Sequence, residues 1–116
     1  MAGLEAVSQG IIGGPIKRDP SGNMEFFDIN GSPWDVKGPR GGNFFDVNQV
    51  GASIKKELTS KGPFPNDKTG LPEARKVILD CTYIDETELN SLRVWLQNNL
   101  SSTDLTRIKE INSNLL

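Results

Sequence analysis

Val77-Ile78-Leu79 opens a continuous apolar stretch that runs to Thr82 and has the length of one β-strand. A strand with one face in water alternates apolar and polar residues, whereas one without alternation has both faces covered and lies inside a sheet. Helices to cover it are at hand. Residues 86–100 carry Leu89, Leu92, Val94, Trp95, Leu96 and Leu100, an apolar stripe broad enough to lie on that sheet. Leu105-Thr106-Arg107-Ile108-Lys109-Glu110-Ile111 then alternates as a second strand does, with a short helix as the alternative. Strand, helix and strand over residues 76–111 should form a right-handed parallel crossover.

Upstream, Met24-Glu25-Phe26-Phe27-Asp28-Ile29 reads as a strand, Asn30-Gly31 as a tight turn, and Pro33 to Lys37 as the returning strand of a hairpin. Gly38-Pro39-Arg40-Gly41-Gly42 is a loop, followed by a short extended Asn43-Phe44-Phe45. Asp46 and Gln49 have the spacing of a helix cap, and Val47, Val50, Ile54 and Leu58 predict a helix to about Lys61 with one apolar face. A proline-rich, polar connection covers residues 62–72. The order is β-β-(β)-α-β-α-β, an α/β chain with a mixed sheet. Residues 1–22, broken by Gly10, Gly13, Gly14, Pro15 and Pro20 after a short helix at 4–8, read as a flexible lead-in or the remnant of a first helix. Residues 23–116 then make a single domain, since 116 residues supply one modest core.

The chain contains no histidine. Ser-His-Asp and Cys-His triads, two-histidine ribonuclease chemistry and imidazole zinc sites are thereby excluded. Cys81 lies in the apolar run without a neighbouring base, which suits a small core residue better than a nucleophile. Carboxylates, lysine and a hard metal ion are what remains for catalysis. A net charge of −2 and a pI near 5.1 give no basic stripe for a phosphate backbone, so any action on nucleic acid must be local to a site. No apolar run approaches the roughly 18–20 residues of a membrane span, and the first residues lack a signal-peptide pattern. The chain is expected to work in water.

Asp35 and Lys37, separated by one residue on the returning strand, leave from the same face. Carboxylates can fix Mg²⁺, and an adjacent ammonium can steady an attacking water or a phosphorane charge. A solvated Asp-Lys pair contributing under about 1 kcal/mol is the plainer alternative. Company favours chemistry. Trp34 and Val36 point to the opposite, packed face, Asp28 stands on the facing arm, and Arg40 in the glycine loop can grip a phosphate. Asp46 reads as a cap and Asp80 as a structural acceptor. Phe26, Phe27, Phe44 and Phe45 can stack bases, although core packing suits most of them better.

Asp28 to Pro39, then Phe44-Phe45-Asp46-Val47, then Val77 to Thr82, together resemble the C-terminal nuclease domains of bacterial polymorphic toxins, including contact-dependent growth inhibition toxins. These are similar to the PD-(D/E)XK, or restriction-endonuclease-like, fold, and the resemblance covers about residues 19–111. It implies a metal-dependent endonuclease acting on DNA or RNA, tRNA included, with Mg²⁺ as the expected ion and Mn²⁺ or Zn²⁺ as alternatives. It also implies delivery as part of a larger secreted toxin, action in the cytoplasm of a target bacterium, and a cognate immunity protein as partner. Carried onto this sequence, Asp35 takes the place of the second acid and Lys37 that of the lysine. Asp28 and Asp19 both stand as the first acid, Glu5 is the candidate glutamate from a first helix, and Arg40 and Trp34 are candidates for substrate contact. A non-catalytic binding module and an acidic immunity or adaptor protein are the rival expectations.

Overall fold

In the computed structural model, which describes residues 16–19, 22 and 24–112, the chain reverses at Asn30-Gly31. Gly31 adopts φ +80°, a conformation that a side chain disfavours. Asp28 fastens the loop, its Oδ1 accepting from the backbone N–H of Asn30 at 2.9 Å and of Ser32 at 3.0 Å. Those local bonds stop the antiparallel ladder early. Of the strand expected over Met24–Ile29, only Phe26–Phe27 pairs regularly with its neighbours.

Three strands thus begin the sheet: β1 (Lys17–Arg18), β2 (Phe26–Phe27) and β3 (Pro33–Lys37), each antiparallel to the next. β1 comes from the segment predicted to be a lead-in. Both of its side chains are exposed and charged, so no apolar alternation betrays it; charge on an edge strand also discourages pairing with another chain.

Helix α1 (Val47–Lys55) is capped by Asp46, whose side chain accepts from Asn48 and Gln49 N–H. The sequence predicts one regular helix to Lys61. Instead the last turn, Lys56–Ser60, widens to π geometry, with Lys61 N–H bonding to the carbonyl of Lys56 at 3.2 Å. The expected extended stretch at Asn43–Phe45 is likewise a 3₁₀ turn over Gly42–Phe44, permitted by φ +72° at Gly42.

The proline-rich connection holds a small hairpin, β4 (Phe64–Pro65) with β5 (Pro72–Glu73). Buried Asn66 ties it to the first hairpin by donating to the carbonyl of Asn30 at 3.1 Å. Strand β6 (Lys76–Asp80), helix α2 (Glu86–Asn99), the short α3 (Ser102–Leu105) and β7 (Ile108–Ile111) complete the described chain. Asp85 and Glu88 close a reciprocal capping box at the start of α2.

The five strands of the main sheet run β1-β2-β3-β6-β7, with β3, β6 and β7 mutually parallel as a helical crossover requires. Ile54, Leu58, Val77, Leu79, Leu92 and Leu96 fill the layer between the sheet and α1 and α2. Phe26, Trp34, Ile78 and Ile111 pack on the opposite face. Each such side chain contributes about 1.5–3 kcal/mol by leaving water. Val94, predicted to join the packed stripe, is exposed, so α2 meets the sheet along a narrower line through Leu92 and Leu96. The expected mixed sheet with helices packed on it is present.

Candidate functional site

Asp35 and Lys37 leave β3 on the helix-bearing face, since their register partners Val77 and Leu79 lie in the layer beneath α1 and α2. Nζ of Lys37 is 3.1 Å from Oδ2 of Asp35 and 3.5 Å from Oε1 of Glu57. Glu57 descends from the π turn and is only 2% exposed. Its Oε1 is also met by Lys61 Nζ at 3.1 Å, and its Oε2 by Arg75 Nη1 at 3.1 Å. Asp35 hydrogen-bonds to Glu57 as well.

Burial, and then the hydrogen bond to Glu57, raise Asp35 above the usual carboxylate range against the pull of Lys37. Burial acts on Glu57 in the same sense, but the hydrogen bond from Asp35 and the nearby Lys61 and Lys37 outweigh it and hold Glu57 at about 2. Of the two acids, Asp35 is therefore the one that takes up a proton more readily. Lys37, Lys61 and Arg75 thus surround the Glu57 carboxylate, gathering three cations at one place on a chain whose net charge is −2. A cleft of about 310 Å³ opens at its side between β3 and α1, lined by Lys37, Gly38, Pro39, Gln49, Val50 and Ser53.

No protein-family model matches the chain, and no curated protein matches it. Among solved structures, it is similar to a chain from the complex of a CdiA-CT toxin from Burkholderia pseudomallei E479 with its cognate CdiI immunity protein. The superposition covers 96% of this chain and 97% of that chain, with a TM-score of 0.64 and 19% sequence identity. The two chains share a fold.

Within that fold, Asp35 and Lys37, the acid and lysine singled out from the sequence, are in contact. Asp28 is engaged elsewhere. Beyond its turn bonds, its Oδ2 accepts from Trp34 Nε1 at 2.9 Å, and Trp34 packs on the face opposite Asp35. Trp34 itself stacks on Phe26 with ring centroids 6.2 Å apart and is buried, which leaves its ring to the core. Asp19 is buried and accepts from Met24 N–H at 2.8 Å. Glu5 lies outside the described residues. Arg40 sets its guanidinium 4.9 Å from the centre of the Tyr83 ring.

Glu57, Lys61 and Arg75 are the members that sequence reasoning missed. One signal for Glu57 is present: it falls three residues after Ile54 and beside Leu58, an acid inside the predicted apolar stripe. Arg75 gives no such signal. It is positioned by bonds to the Gly62 carbonyl at 2.9 Å and by the Phe64 ring at 5.3 Å, contacts made by chain that reads as loop.

Among the described residues no group of three or more acids, cysteines or histidines converges that could hold a metal ion; Asp35 and Glu57 are two carboxylates at the site that could. That donor set fits a Mg²⁺-like ion, which protein commonly holds by one or two carboxylates while water and substrate phosphate supply the remaining oxygens.

Proposed function

We propose that this chain is a metal-dependent nuclease toxin domain that hydrolyses phosphodiester bonds of DNA or RNA, with Asp35, Glu57 and Lys37 as its working residues. The observation that carries this assignment is Lys37 set within 3.1 and 3.5 Å of the two acids Asp35 and Glu57, beside an open cleft. Likeness in fold to a CdiA-CT toxin supports the toxin part.

Asp35 and Glu57 would hold the divalent ion, with Mg²⁺ the first candidate and Mn²⁺ and Zn²⁺ the alternatives. Such an ion, when bound, neutralises phosphate charge and lowers the pKa of water. The chain does the rest. Asp35 in its ionised form would be one anionic donor, and Glu57, held ionised by its cations, the other. Lys37 faces the cleft from the strand and donates hydrogen bonds to a non-bridging phosphate oxygen, stabilising charge as it develops. Arg75, fixed by Gly62 and Phe64, and Lys61 keep Glu57 in place and ionised.

The same assignment carries a cognate immunity protein as partner and delivery as the tip of a larger secreted protein into the cytoplasm of a target bacterium. That a CdiA-CT toxin is solved together with its CdiI immunity protein supports the partner. In this assignment Asp28 and Asp19 hold the hairpin rather than the ion.

Incubating the purified chain with plasmid DNA and with total tRNA, in Mg²⁺, Mn²⁺, Zn²⁺ or EDTA, tests it. Cleavage should require metal and fall at least about a hundredfold in Asp35→Ala, Glu57→Gln and Lys37→Ala. A well-folded chain that cleaves neither substrate with any of these ions sinks the nuclease assignment and favours a non-catalytic binding module.

A further inference from the structure

The loop that leaves Lys37 carries side chains the hydrolytic assignment does not use. Phe44 is 86% exposed, while its neighbour Phe45 turns inward onto the core. Tyr83 is 56% exposed and has the Arg40 guanidinium lying 4.9 Å from its ring centre. A large apolar ring in water is unfavourable, and neither ring is needed by the packed layers.

Nor is this loop a loose one. Gly41 N–H bonds to the Tyr83 carbonyl at 2.8 Å, and Gly42 N–H bonds to Oε2 of Glu88 at 2.9 Å. The other oxygen of Glu88 accepts from Asp85 N–H at 2.9 Å, so the loop is fastened to the capping box that starts α2. A side chain at Gly41 would come within 2.9 Å of the Tyr83 carbonyl, which accounts for glycine there. Phe44 is three residues beyond Gly41, a reach of at most roughly 10 Å. The ring is thus exposed on a loop fixed to Tyr83 and to the start of α2.

We propose that Phe44 and the Arg40–Tyr83 pair form a nucleobase-stacking subsite, so that the strand acted on at Lys37 is one whose neighbouring bases are unpaired. This inference rests on the nuclease assignment for the place of the phosphate. Gly38 and Pro39 line the cleft next to Lys37, and the chain then runs directly to Arg40, so phosphate and base contacts follow one another along one loop. Aromatic rings and arginine planes take up exposed base faces irrespective of sequence, and a continuous duplex hides those faces within its own stack. Positive charge at Lys37 in the cleft, and at Arg40 three residues further along the same loop, suits a polyanionic strand.

Single-stranded RNA and DNA oligonucleotides carrying 2-aminopurine, mixed with the full chain in EDTA, separate binding from hydrolysis. Binding should quench the fluorophore, and blunt duplex should compete poorly. Phe44→Ala and Tyr83→Ala should each weaken strand binding about tenfold and relieve the quench, with Phe44→Trp restoring both. The RNA and DNA arms show which sugar is preferred. Quenching with no cleavage in any metal would uphold the subsite and defeat the nuclease assignment. Unchanged binding in both alanine variants, or no strand binding by the parent chain, overturns the subsite and leaves Phe44 to a protein contact.

Discussion

Nζ of Lys37 stands 3.5 Å from Oε1 of Glu57, an ion pair made across the gap between the central sheet and the π turn that ends α1. Glu57 is the hub of that contact, since Lys61 and Arg75 reach the same buried carboxylate.

Removing the hub should therefore cost more than removing any spoke. Glu57→Ala leaves Lys37, Lys61 and Arg75 facing one another around a buried void, and breaking a buried pair in this way costs about 3–5 kcal/mol. Glu57→Gln keeps the volume and one acceptor and should cost less. Lys61→Ala should cost under about 1 kcal/mol, because its side chain is 45% exposed. Urea unfolding of the three variants checks this order, and similar losses in all of them would refute the hub.

The acid pair also sets how stability and activity change with pH. Glu57 is held at about 2 against a usual 4.5, so its contribution is complete above 4.5 and is lost as pH falls toward 2. Asp35 is raised above its usual 3.8, so the folded chain favours its protonated form and loses that stability as pH rises through the folded value. Asp35→Asn stays neutral and keeps a donor for Glu57. It should be more stable than the parent at neutral pH, with the difference vanishing below 3.8. Urea midpoints between about pH 3 and 8 measure this; a destabilised Asp35→Asn at neutral pH contradicts the raised Asp35. Cleavage should rise with pH as Asp35 ionises, because proton and metal compete for the same oxygens.

Asp35 and Lys37 were legible in the sequence because a strand places residues two apart on one face, whatever the tertiary context. β6 and α2 were legible for a similar reason: an unbroken apolar run and a broad apolar stripe each have few other uses. Glu57 was legible only as an acid inside the apolar stripe, and the π turn that carries it leaves no composition signal of the cations it meets. Asp28 misled in the opposite way. Its position on the hairpin arm was visible, but its commitment to Trp34 Nε1 depends on which way the indole turns, and that is decided by Phe26 and Ile78 in the core.

Gly51 marks where α1 and α2 touch. A Cβ there would lie 2.3 Å from the Trp95 ring, which is held by a bond from Nε1 to Asn48 Oδ1 at 2.9 Å. Alanine gains about 1 kcal/mol of helix propensity over glycine, whereas forcing a rigid ring aside costs about 1–3 kcal/mol. Gly51→Ala should therefore be net destabilising, and pairing it with Trp95→Leu should recover part of the loss. Thermal unfolding decides, at about 4–8 °C per kcal/mol for a domain of this size; a Gly51→Ala chain with an unchanged or higher Tm would show that the helices do not approach so closely.

Asp28 and Asp35 should separate cleanly when each is replaced. Asp28→Ala removes acceptors from Asn30 N–H, Ser32 N–H and the buried Trp34 Nε1–H, and an unsatisfied buried donor alone costs about 1–3 kcal/mol. The carboxylate faces away from Glu57, however, so the protein that remains folded should bind Mn²⁺ as the parent does. Asp35→Ala should do the reverse, abolishing Mn²⁺ binding while retaining the hairpin and its stability. Calorimetric titration of both variants with Mn²⁺, alongside urea unfolding, makes the comparison. Loss of Mn²⁺ affinity in a fully folded Asp28→Ala chain would return Asp28 to the metal site and show that Glu57 is not the partner acid of Asp35.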